Sequence, residues 1–299
     1  MALKDFLSYY GFQVVWSPDV ILITLFIATA YVLVITRFRD YFPDSAPVKL
    51  YQKVLFFLGL LLFYIGMGSP LHLIGHYMFS VHMAQQSLLY FIMPPLIYFG
   101  TPVWVFRAAF RPSIVRKAAA VLTNPIFTVL FFNMTFSFYH YPGIFDKVME
   151  NYLLNNFFHF TLIAAAFLMW FPVLCPVPEM NRLSELRKMA YIFINGALLL
   201  PACGLIVFAG TPVYSTYING PLMLCSPFFT ANLDGGPKLL TSLSIINDQQ
   251  LGGVLMKLIQ EAAYSSALAY NFFKWFNKEK TTDTIDSPID IDSPDPQRT

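Results

Sequence analysis

The 299-residue chain is 57% hydrophobic and 12% charged, with a mean hydropathy of +0.57. Soluble domains carry about 25% charged residues, so this composition excludes an ordinary soluble domain and predicts a polytopic membrane protein. The net charge of +2 is too small to indicate a nucleic-acid partner.

Apolar runs recur along most of the chain, each close to the roughly 20 residues that a helix needs to cross a lipid bilayer. Inside lipid, backbone groups must be satisfied within a helix or a closed barrel, and these runs lack the two-residue alternation of barrel strands. We therefore predict an all-α polytopic membrane protein with seven transmembrane helices. The predicted spans are residues 18–36, 53–69, 78–104, 118–139, 154–175, 189–209 and 249–276.

Prolines should interrupt two of these spans, and composition separates a segment at each end of the chain from the membrane domain. Pro94-Pro95 should kink or break the third span, and Asn124-Pro125 should interrupt the fourth. Residues 1–17 are rich in aromatic side chains and are predicted to lie at the membrane interface, ahead of a membrane domain at 18–276. Residues 277–299 are acidic, repeat Ile-Asp-Ser-Pro and are predicted to form a disordered cytoplasmic tail.

The basic residues predict the orientation of the protein in its membrane. Of the 19 Lys and Arg residues, 15 fall in the loops after spans one, three and five or near the C-terminus. By the positive-inside rule these segments are cytoplasmic. The N-terminus is then outside and the C-terminus inside, which requires an odd number of spans, as seven is.

All five histidines fall on the opposite, outer side of this topology. Asp248 opens the seventh span on that side, and several methionines lie at similar depths. Imidazole and thioether ligands together suit copper, particularly Cu(I). The pattern predicts a shallow outer pocket that binds copper transiently. Its candidate ligands are His72, His76, His82, Met83, His140, His159 and Asp248. The alternative is that these histidines bond backbone carbonyls or lipid headgroups.

Motifs for other chemistry are absent from the sequence. It contains no P-loop, G-x-S-x-G, H-E-x-x-H or C-x-x-C motif, and its three cysteines form no disulfide framework. We therefore predict that the protein is not an enzyme. Lys257 and Glu261 stand four residues apart and can pair within the seventh span. The long outer segment 210–248 is rich in turn signals and could cover the pocket.

Several of these segments together resemble the CtaG family. They are Ser69-Pro-Leu, Phe79-Ser-Val-His82-Met83-Ala-Gln85, Met93-Pro-Pro through Pro102, Tyr139-His140-Tyr-Pro-Gly-Ile-Phe, His159 with Leu168-Met-Trp-Phe-Pro-Val, and Asp248-Gln-Gln-Leu-Gly-Gly253 with Met256. The resemblance covers about residues 50–275. It implies a seven-span protein of the bacterial plasma membrane that is required for assembly of caa-type cytochrome c oxidase.

The resemblance also implies partners and site residues. Delivery of copper to the oxidase is the usual proposed role, so the expected partners are cytochrome c oxidase subunits, a copper-donor chaperone and the lipid bilayer. The positions that match the family motifs are His82, Met83, His140, His159, Asp248, Gln249 and Gln250.

One position departs from the family pattern. Many members have His-Met-x-Gln-His at the start of the third span, whereas this chain has Gln86 at the last place. An amide is a poor copper ligand. Three alternatives stay open: His82, His140 and His159 form the ligand set, Gln86 supports a ligand indirectly, or the site does not bind copper.

Two other functional classes are considered beside an assembly factor. The first is a membrane redox protein with haem held by histidines from different helices, such as His82 and His159. The second is a transporter of copper or protons, which would need polar groups through the whole depth of the membrane.

Overall fold

The computed structural model describes residues 3–42, 44–237 and 243–286, and this part of the chain is predominantly α-helical, as predicted. The helices are α1 Leu3–Tyr9, α2 Phe12–Trp16, α3 Pro18–Ile35, α4 Leu50–Gly68, α5 Pro70–Gly75, α6 Phe79–Ser87, α7 Met93–Gly100, α8 Val103–Ala109, α9 Ser113–Leu122, α10 Pro125–Tyr139, α11 Pro142–Met149, α12 Tyr152–Leu174, α13 Glu185–Val207, α14 Ser215–Asn219 and α15 Ile245–Asp286. A two-stranded antiparallel hairpin, β1 Met223–Cys225 and β2 Thr230–Asn232, precedes α15.

Four helices are long and apolar enough to cross a membrane on their own, namely α3, α4, α12 and α13. Two bent pairs, α6–α7 with α8 and α9 with α10, bring the number of candidate spans in the described residues to six. The long helix α15 is not among them, and it carries Lys257 and Glu261. The structure therefore confirms a multi-helix membrane architecture, while the seventh span and the orientation stay predictions.

The break in the third predicted span lies at a different place from the one expected. Pro94 and Pro95 occupy the first turn of α7, where a missing N–H costs little, and a π-helical turn, Leu88–Ile92, joins α6 to α7. The sharp bend of 96° comes later, between Gly100 and Val103. The span thus ends at Gly100 rather than at residue 104, because Thr101-Pro102 leaves the helix.

The interruption of the fourth predicted span is confirmed. Helices α9 and α10 meet at an angle of 65°. Asn124 caps α10, since its side-chain oxygen accepts hydrogen bonds from the backbone N–H groups of Ile126 and Phe127 at 3.0 and 3.4 Å.

The end of α15 differs from the prediction. A disordered tail was expected from residue 277, but the helix continues to Asp286. The added stretch includes Lys278, Glu279 and Lys280, which are good helix formers. The remainder of the predicted tail, residues 287–299, lies outside the described residues.

The main core forms around α15, which packs along α13 on one side and α6 on the other. Glycines allow this close approach: a Cβ atom at Gly252 would lie 2.7 Å from Cδ1 of Phe79 and 3.1 Å from Cγ of Met83. Helix α4 packs on α7, and α10 packs on α12. The first turns of α6 and α15 are therefore held together without room for a larger side chain.

Five elements meet at one end of the bundle, here called the histidine end: α5, the first turns of α6 and α12, and the last turns of α10 and α13. The N-terminal helices and the hairpin cover it. Phe6 from α1 packs with Leu73 of α5, Leu224 of β1 and Leu233 after β2. Phe6 is thus buried in protein, whereas Tyr9 and Phe12 of the predicted interfacial segment are exposed.

The close contact at Gly252 generates a prediction. In a Gly252→Ala variant the new methyl group meets the ring of Phe79, which is only 1% exposed. Overpacking of this kind costs about 1–3 kcal/mol, more than the roughly 1 kcal/mol that alanine gains over glycine in a helix. We expect a lower melting temperature in detergent, measured by circular dichroism.

The matched control is Gly204→Ala on α13, where the nearest atom to an added Cβ is Cδ2 of Phe208 at 4.0 Å. The control gains the same helix propensity without crowding and should melt at or above the wild-type temperature. If both variants have the same melting temperature, the close packing of α6 on α15 does not limit the size of the side chain at position 252.

Candidate metal centre

The local sequence explains how the histidines are presented. The Ser69 hydroxyl caps α5 by accepting a hydrogen bond from the backbone N–H of Leu71 at 3.1 Å. One turn of α5 then places His72 and His76 near each other, with ring centroids 5.0 Å apart. His72 lies in this short helix between α4 and α6, and His76 directly follows it; both residues are buried.

Asp248 determines where α6 starts. One carboxylate oxygen accepts a hydrogen bond from the backbone N–H of Phe79 at 2.7 Å, and the other accepts one from the Ser80 hydroxyl. A carboxylate at a helix N-terminus also interacts favourably with the helix dipole. Both oxygens of Asp248 thus accept hydrogen bonds from the start of α6, so that the side chain caps α6 from α15. Its role as a copper ligand stays a prediction.

The neighbours of Asp248 also serve the fold. The Gln249 amide accepts a hydrogen bond from the backbone N–H of Val213 at 2.9 Å and donates one to the Ile206 carbonyl at 3.2 Å. Gln250 donates to the Ala209 carbonyl at 3.2 Å. The Asp248-Gln249-Gln250 segment therefore ties the start of α15 to the end of α13 and to the segment after it.

All five histidines are buried, none being more than 4% exposed. His72 uses both ring nitrogens: Nδ1 accepts a hydrogen bond from the Gln85 amide at 3.1 Å, so Nε2–H donates to the Cys225 carbonyl, also at 3.1 Å. His72 therefore has no ring nitrogen left for a metal in this conformation. It joins α6 to the hairpin instead.

The other four imidazoles each have a buried ring nitrogen without a hydrogen-bond partner among the described residues. These atoms are Nε2 of His76, His82 and His140, and Nδ1 of His159. In His76 and His140, Nδ1 donates to the carbonyl four residues earlier at 2.9 Å, which leaves Nε2 as an unprotonated acceptor. A histidine held in this way presents the lone pair that metal ions bind.

Burial keeps the imidazoles of His72 and His76 neutral. Desolvation lowers the pKa of His72 to about 4, with His159 nearby adding to the effect. Desolvation likewise lowers the pKa of His76 to about 3, with a further contribution from His72. At neutral pH neither imidazole takes up a second proton, so Nε2 of His76 keeps its lone pair.

Three of the histidines, brought together from three helices, form what we call the inner cluster: His82 of α6, His140 directly after α10, and His159 of α12. The ring centroids of His82 and His140 are 6.3 Å apart. The Tyr139 ring lies between the members, 6.2 Å from both His82 and His159. Phe136 stacks on His140 at 4.0 Å. The inner cluster is thus a polar group enclosed by aromatic rings.

Gln86 borders the inner cluster. It is buried one helical turn after His82, and both atoms of its amide lack hydrogen-bond partners among the described residues, although the side chain approaches Tyr139. The hydroxyls of Tyr90 and Tyr139 are also buried without hydrogen-bond partners in the part of the chain that the structure describes. Sequence analysis missed both tyrosines. The spacing of Tyr90, four residues after Gln86 and eight after His82, places it on the same helical face and could have indicated it.

Met83 occupies another face of α6. Its side chain packs against Gly252 of α15, beside Phe79. The structure therefore gathers three of the seven predicted ligands, His82, His140 and His159, into one cluster and places Met83 in the apolar core. Within the described residues, no three His, Cys, Asp or Glu side chains are arranged as a preformed metal centre.

The fold and these side chains define a multi-helix membrane protein with a buried histidine cluster at one end of its bundle. The family model described as cytochrome c oxidase caa3 assembly factor (Caa3_CtaG) matches residues 29–278, which include all five histidines. The chain belongs to this family, and the resemblance found in the sequence is confirmed. No curated protein and no solved structure matches the chain.

The capping role of Asp248 can be tested without any metal. Asp248→Ala removes two hydrogen bonds to a charged acceptor, each worth about 1.5–3 kcal/mol, offset by the desolvation of the carboxylate. We expect a net loss of about 1–3 kcal/mol in unfolding free energy. We also expect faster hydrogen exchange at the Phe79 and Ser80 amides, measured by mass spectrometry.

The control is Asp40→Ala, because Asp40 is an exposed residue whose side chain pairs only at 3.4 Å with Arg39. It should leave exchange in α6 unchanged. Unaltered exchange at the start of α6 in the Asp248 variant would contradict the capping role.

Proposed function

We propose that the protein supports maturation of the copper centres of caa3-type cytochrome c oxidase by holding a copper ion in the inner cluster. The role is that of an assembly factor and not of a catalyst. The observation that carries the proposal is the convergence of His82, His140 and His159 from three helices, each with a buried ring nitrogen that has no partner in the described part of the chain. Such nitrogens bind a soft or borderline metal ion well.

The spacing within the inner cluster supports this cargo. Two imidazoles on opposite sides of one ion have centroids about 6.2 Å apart, from two metal–nitrogen bonds of about 2 Å and two ring radii of about 1.1 Å. The His82 and His140 centroids are 6.3 Å apart. The separation of these two rings thus falls in the range that two imidazoles bound to one ion can span.

The distribution of charge supports an extracytoplasmic position for the inner cluster. The basic residues at the ends of α3, α8, α9 and α13 lie at the end of the bundle opposite the histidine end, together with Lys274. The positive-inside rule then places that end in the cytoplasm and the histidine end outside a bacterial plasma membrane. In this topology α15 is the seventh span, and its Lys257 and Glu261 pair at 2.5 Å, which reduces the cost of burying charge in lipid.

Polar side chains deeper in the bundle favour a structural role over transport. Asn133 of α10 donates to Asn195 of α13 at 3.0 Å, and Asn195 donates to the Tyr191 carbonyl at 2.9 Å. The Tyr191 hydroxyl lies 2.9 Å from Thr128. These bonds join α10 to α13 directly, so these side chains link two helices of the bundle.

The inner cluster leads to a prediction about copper. Single His82→Gln and His140→Gln substitutions keep a polar side chain but remove the imidazole. We expect each to weaken Cu(I) binding at least 100-fold relative to the wild type, which should bind one ion per chain. The measurement is an anaerobic competition between the detergent-purified protein and a coloured Cu(I) chelator.

The matched control is His72→Gln, because both ring nitrogens of His72 are engaged within the fold. Its copper affinity should remain within threefold of the wild type. If the wild type and the three variants bind Cu(I) with equal affinity, the inner cluster is not the copper site. The absorption spectrum of the same samples tests the haem alternative, since stoichiometric haem requires a Soret band.

A complementation experiment in cells tests whether oxidase assembly depends on copper binding by this protein. In a strain that lacks the gene for this protein, the wild-type and His72→Gln proteins should restore caa3 oxidase activity, whereas the His82→Gln protein should not. Added copper should partly restore activity with the His82→Gln protein. Full activity with that protein at low copper would overturn the cargo role.

Gln86 provides a test in the opposite direction. It lies one turn after His82, is buried and has an amide without partners among the described residues. A Gln86→His substitution adds a nitrogen ligand beside the inner cluster, so we expect Cu(I) affinity to rise at least tenfold in the same chelator assay. The comparison is Gln86→Leu, which adds no ligand and should not raise the affinity. An unchanged Cu(I) affinity of the Gln86→His variant would show that residue 86 does not border the copper site.

A further inference from the structure

Helices α8 and α9 turn away from the spans on either side of them. The axis of α8 makes an angle of 96° with the preceding helix pair α6–α7, and the axis of α9 makes an angle of 65° with α10. The last turn of α10 lies at the histidine end, so its first turn, where α9 ends, lies at the opposite end of the bundle. Helix α9 therefore runs across that end, at the level of a bilayer surface, and does not continue a span.

Helix α9 has an apolar face and a basic face. At 3.6 residues per turn, five of its apolar residues fall within an arc of about 120°. They are Ile114, Val115, Ala118, Val121 and Leu122. Arg116 and Lys117 fall on the opposite side of the helix. Helices with this pattern lie in the plane of a membrane surface, with the apolar face toward the acyl chains and the basic face toward the headgroups.

The apolar face of α9 is not covered by the rest of the described protein. Ile114 is 81% exposed and Val121 is 66% exposed. The side of the helix that packs inward carries Ala119, which is buried, and it continues to Thr123, whose hydroxyl donates to the Ala119 carbonyl. Apolar side chains exposed together in this way mark a surface that meets a membrane or another partner.

The charges around α9 indicate an anionic partner. Between the end of α7 and the start of α10 the chain has four basic residues and no acidic residue. Arg107 pairs with Glu179, whereas Arg111, Arg116 and Lys117 form no ion pair with any described residue. Basic side chains at a membrane surface attract anionic lipid headgroups. A phospholipid bilayer fits both faces at once, because its acyl chains accept the apolar face and its phosphates pair with the basic residues.

We propose that α9 is a membrane-surface anchor that binds anionic phospholipids in preference to zwitterionic ones. Its apolar face inserts among the acyl chains, and Arg111, Arg116 and Lys117 bind the headgroup phosphates. The anchor is independent of copper binding, because α9 and the inner cluster lie at opposite ends of the bundle.

The test uses a tryptophan introduced by Ala118→Trp, an exposed position in the middle of the apolar face. The full-length protein is reconstituted into equimolar vesicles of phosphatidylglycerol and phosphatidylcholine in which one of the two lipids is brominated, since bromine quenches a nearby tryptophan. The same measurement on the wild type corrects for the four native tryptophans. We expect both lipids to quench the added tryptophan, with an association at least about fivefold stronger for phosphatidylglycerol.

The charge variant adds three substitutions to the Ala118→Trp protein: Arg111→Gln, Arg116→Gln and Lys117→Gln. Its preference for phosphatidylglycerol should fall below about twofold, because the headgroup phosphates lose their partners. All three positions are exposed, so the fold should be retained, and circular dichroism checks this.

The matched control removes three positive charges from exposed positions outside α9 at the same end of the bundle, by Arg37→Gln, Arg182→Gln and Arg187→Gln. It should keep the preference for phosphatidylglycerol. An equal loss in this control would overturn the role of α9, because the preference would then follow the net charge of that end. Equal quenching by the two lipids in the Ala118→Trp protein would overturn the preference itself. Quenching by neither lipid would overturn the anchor, since protein would then cover the apolar face.

Discussion

The contact between the Asp248 carboxylate and the first turn of α6 is the constraint on which the histidine end depends. It joins two helices that are far apart in the chain, and it satisfies a backbone N–H group that has no partner within α6. Because His82 lies in that first turn, the position of its imidazole follows from the position of Asp248. Gly252, one turn further along α15, lets the two helices approach closely enough for the carboxylate to reach.

The second physical feature is the burial of polar atoms that the fold leaves unpaired. Four ring nitrogens, the Gln86 amide and two tyrosine hydroxyls are enclosed at or near the histidine end without partners among the described residues. Each such atom costs about 1–3 kcal/mol, so a structure selected for stability alone would replace several of them with apolar groups. A ligand that bonds to these atoms recovers this free energy, which connects the cost in stability to the proposed cargo.

The five histidines serve different purposes although they lie at one end of the bundle. His72 is a structural residue, since its two nitrogens bond to α6 and to the hairpin. His76 keeps Nε2 buried without a hydrogen-bond partner among the described residues, and the other three histidines form the inner cluster. This division of roles depends on which nitrogen each ring uses locally, and a sequence pattern does not contain that information.

Composition and run length were sufficient to predict a helical membrane protein, because backbone groups in lipid leave few alternatives to a helix. The residues that matched the family motifs identified the family, which the match to residues 29–278 confirms. The same residues included the three histidines of the inner cluster. They also included Asp248, whose carboxylate could be recognised as unusual but not as a helix cap.

What the sequence by itself determined was the fold class, the family and the residues from which a site could be built. Tertiary structure decided their roles. It paired Asp248 with an N–H group 169 residues away and used both nitrogens of His72. It left Nε2 of His82 and of His140 buried without a hydrogen-bond partner among the described residues. The physical reason is that a polar atom acts as a cap, a link or a free ligand according to the partner within about 3 Å of it. In this chain those partners come from helices that are distant in sequence.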